Sequence, residues 1–478
     1  MKAQIRTTQK RPAVSILMAW VVMIALPWLL GGQWLPFQLA ALSIATAAFG
    51  FSLQNGISQV KAPLALLACL SGYVLIQLLN PAFTQEWQTG LRVWNLVQKD
   101  YIHWLPSSIS SGFTDASPLR FLIHVLTAAA IALVLINSRD RKPQTPALIL
   151  VAVSGTLIAL IGTVQSSLDS RTILGIFDAK DRGLGLFFGT LLYKNQAAVF
   201  FNIAMAVSLA CFIYLAGSPE KQRSNPSLLF ILCAIVLLIG IVTSRSRFGF
   251  VCSFTILVPF GVMVIKRMAQ WRLSRKWVMT AGVTLSAVII AGSIFLFRSP
   301  AAKHLKTLNS EITEDFSFKQ RKFAYESGFE MFASKPAYGW GAGNFRHGFR
   351  QFQNMQAERE EVANPFMKRH EQSFFWQHMH NDYLEWLIEL GVVGTLILFS
   401  IPGYFFWRIF KSSRWKEPVP LMLLAGLAST MIHALVDFPF QNPAILVTWF
   451  AVLAITTNYC EGSKNKEHRG KRGIARTQ

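Results

Sequence analysis

The sequence predicts an all-α polytopic membrane protein with about twelve transmembrane helices and one large loop that contains short helices. Three observations support this fold class. Hydrophobic residues make up 52% of the 478-residue chain, charged residues only 15%, and the mean hydropathy is +0.38. Apolar windows of about 18 to 20 residues, long enough to cross a bilayer as helices, recur along the chain. Every second connection between these windows is rich in lysine and arginine.

Twelve windows fit transmembrane helices. They cover residues 13–30, 36–53, 62–80, 118–137, 146–165, 197–216, 227–243, 248–265, 277–297, 384–407, 419–436 and 442–458. The first resembles the start of a signal peptide, but Pro27-Trp28 stands where a small-residue cleavage site would be needed, so we interpret it as a retained helix. The chain thus divides into an N-terminus at 1–12, nine helices within 13–297, a large loop at 298–382, three helices within 383–459 and a basic tail at 460–478.

Lysine and arginine in the short connections predict the orientation of the chain. Basic residues concentrate at Lys61, at 139–142, 221–223, 266–276 and 408–416, and in the tail, whereas the turns near 31–36 and 437–441 contain none. Cytoplasmic loops of membrane proteins carry this excess of positive charge. Both termini are therefore predicted to be cytoplasmic, and the loops at 81–117, 166–190 and 298–382 to lie outside.

Charge and cysteine content argue against two other classes of protein. The net charge of +22 would suit nucleic-acid binding, but much of it forms the inner positive collar that meets anionic membrane lipids. Of the five cysteines, four lie inside predicted helices and Cys460 lies at an inner end, so no disulfide framework is indicated. We therefore expect membrane lipids, and no nucleic acid, among the partners.

The outer loops show limited local order. Residues Phe316 to Ala333 have helical periodicity, and Ser334-Lys335-Pro336 should end that helix. A second helical stretch is predicted from Phe345 through Glu361. The loop at 81–117 spaces aromatic residues among polar ones, which indicates an amphipathic segment at the outer interface.

A polar cluster stands where the large loop returns to the membrane. His380 and Asn381 precede Asp382, Glu385 and Glu389, which recur at helical spacing and share one face of a helix start. Ionisable groups are costly in a bilayer and are usually paired or functional. This segment is therefore the first candidate site.

Cations collect on the same predicted outer side. They are Arg182 in a glycine-rich segment, Lys194 with its neighbour Asn195, Arg245 and Arg247 between two windows, and Arg321 in the loop helix. Guanidinium groups bind phosphate oxygens bidentately and neutralise the charge of a departing phosphate, so the cluster predicts a diphosphate site. Alternatively, Arg245 or Arg247 reaches lipid phosphate or pairs with Asp437 or a loop acid.

The order of these motifs resembles the O-antigen ligase and polymerase superfamily, bacterial membrane glycosyltransferases that use glycans carried on undecaprenyl diphosphate. The resemblance extends over most of residues 170–445. Its motifs are Arg182 with Asn195, Ser246-Arg247 with Gly249, Arg321, Pro336 with the glycine-aromatic turn Gly339 to Phe345, His380-Asn381 with Leu384-Glu385, and Gly391. It implies roughly a dozen spans in the bacterial inner membrane, a periplasmic catalytic loop at 298–382, and no nucleotide sugar, metal or other cofactor.

The resemblance also implies roles for residues. His380 is the expected catalytic group, which orients or deprotonates a hydroxyl of a lipid A core, glycan or protein acceptor. The expected diphosphate ligands are Arg182, Arg321 and Arg247, with Arg245 as a near duplicate of Arg247. Lys194, Asn195, Asn381, Asp382 and Glu385 are expected to support the site. A single displacement inverts the anomeric carbon.

Ligase, chain polymerase and protein O-oligosaccharyltransferase share these motifs and differ in their acceptor, so the sequence leaves the particular reaction open. Three further questions also stay open at the level of sequence. His378, His380 and Asp382 could bind a metal ion together with His370 or Glu371. A transporter could use the same cations to move a lipid-linked substrate, although the ionisable groups lie at the outer ends of the spans and not near the midplane. The turn at 339–345 fits a pocket wall or a tight loop between two helices equally well.

Overall fold

The computed structural model describes residues 14–88, 93–110, 117–138, 144–179, 187–216, 226–267, 310–359 and 376–462, together with residues 276, 279 and 280. These residues form thirteen α-helices. The helices are α1 (Val14–Trp28), α2 (Leu35–Ser52), α3 (Lys61–Leu79), α4 (Pro118–Asn137), α5 (Gln144–Ser167), α6 (Lys194–Ala216), α7 (Ser227–Thr243), α8 (Arg247–Arg267), α9 (Ser310–Ser334), α10 (Phe345–Arg359), α11 (Asp382–Lys411), α12 (Pro418–His433) and α13 (Pro443–Glu461).

Eleven of these helices correspond to predicted membrane windows. Eight are long and apolar enough to cross a membrane, and α1, α7 and α12 are shorter apolar helices. Helices α9 and α10 lie in the large loop, and α9 ends at Ser334 as its sequence predicted. The all-α polytopic membrane fold is confirmed. The window at 277–297 lies almost wholly outside the described residues, as do Arg182, residues 1–12 and most of the tail.

Helices α4, α6 and α13 form the centre of the bundle. In their most apolar windows 83%, 94% and 94% of the residues are buried, against 28% in α2 and 33% in α3. Small residues allow the central helices to approach closely: a side chain at Gly155 of α5 or Gly426 of α12 would collide with Ala204 or Ala206 of α6. The apolar outer surfaces of α2 and α3 are suited to lipid contact.

Polar contacts at the helix ends show which helices run in the same direction. Arg120, at the start of α4, donates to the Gln33 carbonyl just before α2 (2.9 Å). Asn137, at the end of α4, donates to the Ser52 carbonyl at the end of α2 (2.8 Å), and Asn458 near the end of α13 donates to the Leu135 carbonyl (2.7 Å). The second, fourth and twelfth predicted windows therefore run in the same direction, as an alternating chain requires. We call the end that carries residues 81–110, 310–359 and 376–381 the loop end.

Two small β-sheets lie at the loop end and were not predicted from the sequence. Strand β1 (Pro81–Gln88) pairs antiparallel with β2 (Val93–Gln98) and parallel with β3 (Ser108–Ser110). Strands β4 (Thr172–Ile173) and β5 (Phe177–Asp178) form a hairpin after α5. The loop at 81–117, expected as an amphipathic interfacial segment, thus contains a sheet within its described residues. Its β3 is held to the loop helices because the Asn344 side chain accepts from the Ile109 N–H (3.1 Å).

The glycine-aromatic turn between α9 and α10 docks onto an interruption in α11. Helix α11 breaks at Gly391, whose φ of 63° and ψ of −175° are not helical. Two backbone carbonyls near this break accept hydrogen bonds from the turn. The Trp340 N–H donates to the Ile388 carbonyl and the Gly341 N–H to the Glu389 carbonyl, both at 2.9 Å. The turn therefore connects two helices and fixes the large loop to the membrane helix that follows His380.

Gly339→Ala should destabilise the protein by about 2 kcal/mol or more. Gly339 has a φ of 71°, and a methyl group there would collide with the Glu389 carbonyl and the Gly391 backbone. The measurement is thermal unfolding of the detergent-purified protein. Gly50→Ala is the matched control, since its Cβ would meet nothing within 4 Å, and it should be neutral or slightly stabilising. Equal melting temperatures for the two variants would contradict the docking role.

Candidate active site at the loop end

His380 lies just before α11, at the surface where the large loop meets the helices. Its φ of 54° is unusual for a non-glycine residue, a kind of backbone strain that concentrates at functional sites. Asn381 caps α11, its side-chain oxygen accepting the Leu384 N–H (3.1 Å). The hydroxyl of Tyr325 in α9 donates to the His380 carbonyl (2.9 Å). The histidine is therefore held by both the membrane helix and the loop helix.

The imidazole of His380 lies against two aromatic rings and one carboxylate. Trp376 and Phe438 contact it edge to face, with ring centroids 5.8 and 4.9 Å away. Its Nδ1 lies 3.4 Å from Oδ1 of Asp437, and the side chain is 24% exposed. One ring nitrogen thus faces a carboxylate while part of the ring stays accessible, which is the arrangement of a histidine oriented for proton transfer.

Asp437 is buried in the turn between α12 and α13. Its Oδ2 accepts from the Asn195 side chain at the start of α6 (2.5 Å), and its Oδ1 accepts from the Phe438 N–H (2.9 Å). Nε2 of a second imidazole, that of His433, lies 3.8 Å from Oδ2 of Asp437. Burial opposes ionisation of Asp437, but the neighbouring imidazoles of His380 and His433 outweigh it and hold the pKa of the carboxyl well below its usual range. Asp437 is therefore an anion beside His380.

The acids of α11 make other contacts. Glu385 accepts from the Met379 N–H (2.7 Å) and lies 2.8 Å from Nδ1 of His378. Asp382, fully buried, accepts the Phe440 N–H (3.0 Å) and so holds the turn that carries Asp437. In these contacts the two carboxylates hold residues around the site, and neither faces the His380 ring.

The described residues contain no group of three or more histidine, cysteine, aspartate or glutamate side chains placed to hold a metal ion. His378 faces Glu385, whereas His380 faces Asp437, so the two histidines have separate partners. His370 and Glu371, the other ligands weighed from the sequence, lie outside the described residues.

Four of the five predicted cations lie near this site. Lys194 is within electrostatic reach of Arg245, Arg247 and Asp437. Arg321 lies within electrostatic reach of Tyr193 and of Tyr325, whose hydroxyl bonds the His380 carbonyl.

Arg245 and Arg247 flank Ser246 at the start of α8. Arg245 has a φ of 59°, and Arg247 is the first residue of the helix. The Ser246 hydroxyl caps α8 by accepting from the Gly249 N–H (3.3 Å). The fold thus brings cations from α6, α8 and α9 to one end; Arg182 lies outside the described residues.

Asp437 was not predicted from the sequence as part of the site. The sequence suggested Asp437 only as a possible partner for Arg245 or Arg247. One signal in the sequence could have indicated its role: Asp437 is an acid in a loop-end turn that contains no lysine or arginine. Its proximity to His380 and Asn195 could not be read from the sequence, because the three residues come from segments far apart in the chain.

The fold and the site together define a polytopic helical membrane protein that carries a histidine–aspartate pair beside several cations at one end. Residues 232–399 match the protein family described as O-Antigen ligase. This match confirms the resemblance to the O-antigen ligase and polymerase superfamily, and it includes Arg245, Arg247, Arg321 and His380. No curated protein matches the chain. The family indicates a membrane glycosyltransferase-like enzyme whose substrates are a lipid-linked glycan and an acceptor.

Proposed function

We propose that the protein is an inverting glycosyltransferase of the O-antigen ligase type. It transfers a glycan from undecaprenyl diphosphate to an acceptor hydroxyl at the periplasmic face of the bacterial inner membrane. The observation that carries this proposal is the His380–Asp437 pair at the same end of the bundle as Lys194, Arg245, Arg247 and Arg321. A base beside a cationic diphosphate site is what such a transfer needs.

The reaction is a single displacement in this proposal. The acceptor oxygen attacks the anomeric carbon, the bond from that carbon to the diphosphate oxygen breaks, and the acceptor proton passes to His380. Asp437 faces Nδ1, which favours the tautomer with its proton there and leaves Nε2 to accept the acceptor proton. The cations bind the diphosphate and stabilise the negative charge that it gains on leaving. Neither a metal nor a cofactor takes part in these steps.

A deletion strain, with surface polysaccharide and undecaprenyl-linked intermediates analysed together, tests the proposed function. We expect long lipid-linked chains to accumulate without attachment, and the wild-type gene to restore attachment. Single unextended repeats would instead indicate a polymerase of the same superfamily. Normal glycans in both pools would contradict a glycosyltransferase of this kind.

A further inference from the structure

The hairpin of β4 and β5 turns at Leu174 and Gly175. The φ values of these residues are 56° and 71°, and the Ile176 N–H donates to the Ile173 carbonyl across the turn (3.1 Å). A β-turn with positive φ at both central residues favours asparagine, aspartate or glycine there, because other side chains meet the backbone in that conformation. Leucine at the first position is therefore costly, and the turn geometry alone does not explain it.

The exposed residues of this hairpin are apolar at its tip and charged at its base. At the tip, Ile176 is 89% exposed and Leu174 is exposed beside it. Asp169 and Arg171 are exposed where the chain enters the hairpin. Turns that project into water are rich in glycine, proline, asparagine, aspartate and serine, and they seldom present two large apolar side chains. The composition of the tip thus indicates an apolar environment.

The base of the hairpin is fixed to the ends of membrane helices. Ile173 is buried in a small core with Leu30, which lies between α1 and α2, and Leu192, which precedes α6, packs against this core. Phe177 contacts Trp34, the residue before α2, edge to face with ring centroids 5.2 Å apart. Tryptophan is enriched at membrane–water boundaries. The hairpin therefore starts at the level where these helices meet the surface of the bilayer.

A lipid-facing stripe on α5 leads up to the hairpin. Exposed large apolar side chains recur every three or four positions along this helix, so they share one face. They are Leu150, Val153, Leu157, Leu160, Val164 and Leu168. Helix α5 is long and apolar enough to cross a membrane. The Leu168 N–H donates to the Val164 carbonyl (3.0 Å), so the apolar face continues past the last residue of α5 toward β4.

We propose that the tip of this hairpin inserts into the lipid leaflet at the loop end. Leu174 and Ile176 enter the boundary between headgroups and acyl chains, and the charged residues of the base stay among the headgroups. The partner is the bilayer and not a second protein, because the hairpin follows directly on the lipid-facing stripe of α5. Since Leu192 packs at the hairpin base shortly before Lys194, the inserted tip supports the part of the bundle that carries the cations.

A fluorescent label at Ile176→Cys tests the proposal in the full chain. The protein is reconstituted in vesicles of phosphatidylcholine, or of phosphatidylcholine brominated on its acyl chains, and aqueous iodide is added in a parallel experiment. Brominated lipid quenches a label that contacts acyl chains, whereas iodide quenches a label in water. A Cys69→Ala background removes the exposed native thiol, and the other four cysteines are buried.

Two matched positions calibrate the measurement. A label at Val164→Cys, on the stripe of α5, reports contact with lipid, and a label at Lys322→Cys, on α9, reports contact with water, since the Lys322 side chain is 67% exposed. We expect brominated lipid to quench the label at residue 176 about as strongly as the label at residue 164. We expect iodide to quench it much less than the label at residue 322.

Leu174→Asp, combined with the label at Ile176→Cys, gives a second test. A charge at the tip opposes insertion, so brominated lipid should quench the label less and iodide should quench it more. This variant also shows whether the native tip, and not the label itself, causes the insertion. Quenching that is unchanged by Leu174→Asp would overturn the proposal.

Two results for the single-label protein would also overturn it. Strong quenching by iodide without quenching by brominated lipid would place the tip in water. Protection from both quenchers would place a protein, such as a second copy of this chain, on the tip. None of these measurements depends on glycan transfer, so they test the lipid contact separately from the proposed function.

Discussion

His380→Ala should lower glycan transfer by about 10²–10⁴-fold, the contribution typical of a positioned acid–base group. The reason is that the imidazole is the partly accessible group that lies beside both a buried carboxylate and the predicted cation cluster. The capping side chain of Asn381 and the Tyr325 bond to the backbone of residue 380 do not need the imidazole, so α11 should still form. The measurement is transfer to the surface polysaccharide in the deletion strain, at matched protein levels in the membrane.

His103→Ala is the control for that variant. His103 is exposed in the segment between β2 and β3, where its ring contacts only Tyr101 among the ring contacts of the described residues. It should leave transfer unchanged. Full transfer by a stably inserted His380→Ala protein would refute the assigned role. Loss of the protein from the membrane would indicate a structural role for the ring. His380→Gln, which keeps a polar side chain of similar size, would then show whether transfer depends on proton transfer by the imidazole or on the size of the side chain.

Asp437→Asn should lower the turnover rate by about 10²-fold or more, because it removes the anion that orients His380 and stabilises its protonated form. The side chain keeps its size and its carbonyl oxygen still accepts the Phe438 N–H, but the amide nitrogen that replaces Oδ2 cannot accept from Asn195. Donor binding should change less than turnover, because no cation is removed. The measurement is a steady-state comparison of kcat and KM on purified protein, with thermal unfolding measured in parallel.

Asp437→Glu should recover part of the lost rate, because it restores the charge at a slightly different distance. Asp100→Asn, in an exposed loop segment, is the control and should be neutral. A rise in KM with kcat unchanged would place Asp437 in substrate binding. A fall in melting temperature equal for Asn and Glu, with no difference between their rates, would make Asp437 a structural residue only.

Hydropathy was sufficient for the membrane helices because a bilayer permits few alternatives to a long apolar helix. Eleven predicted windows correspond to helices whose bounds differ by only a few residues, and the end of α9 at Ser334 agreed with Ser334-Lys335-Pro336 as a stop signal. The small sheet within 81–110 escaped prediction, since β1 pairs in parallel with β3, which follows β2 along the chain.

The candidate site was only partly accessible from the sequence. His380 could be singled out because an ionisable group at a membrane boundary is costly, and the arginines because they stand on the side where topology does not favour them. The helical spacing of Asp382 and Glu385 indicated acids near His380, but it did not show their partners. In the structure Asp382 holds the turn at Phe440 and Glu385 holds His378.

The sequence by itself determined the membrane fold, its alternating helices and the identity of the residues that carry charge at one end. These features depend on local hydropathy and on charge counts, which can be read along the chain. Only the tertiary structure placed Asp437, with its partner Asn195, beside His380. Those contacts join residues up to 242 positions apart, so they depend on how the helices pack and not on any local pattern.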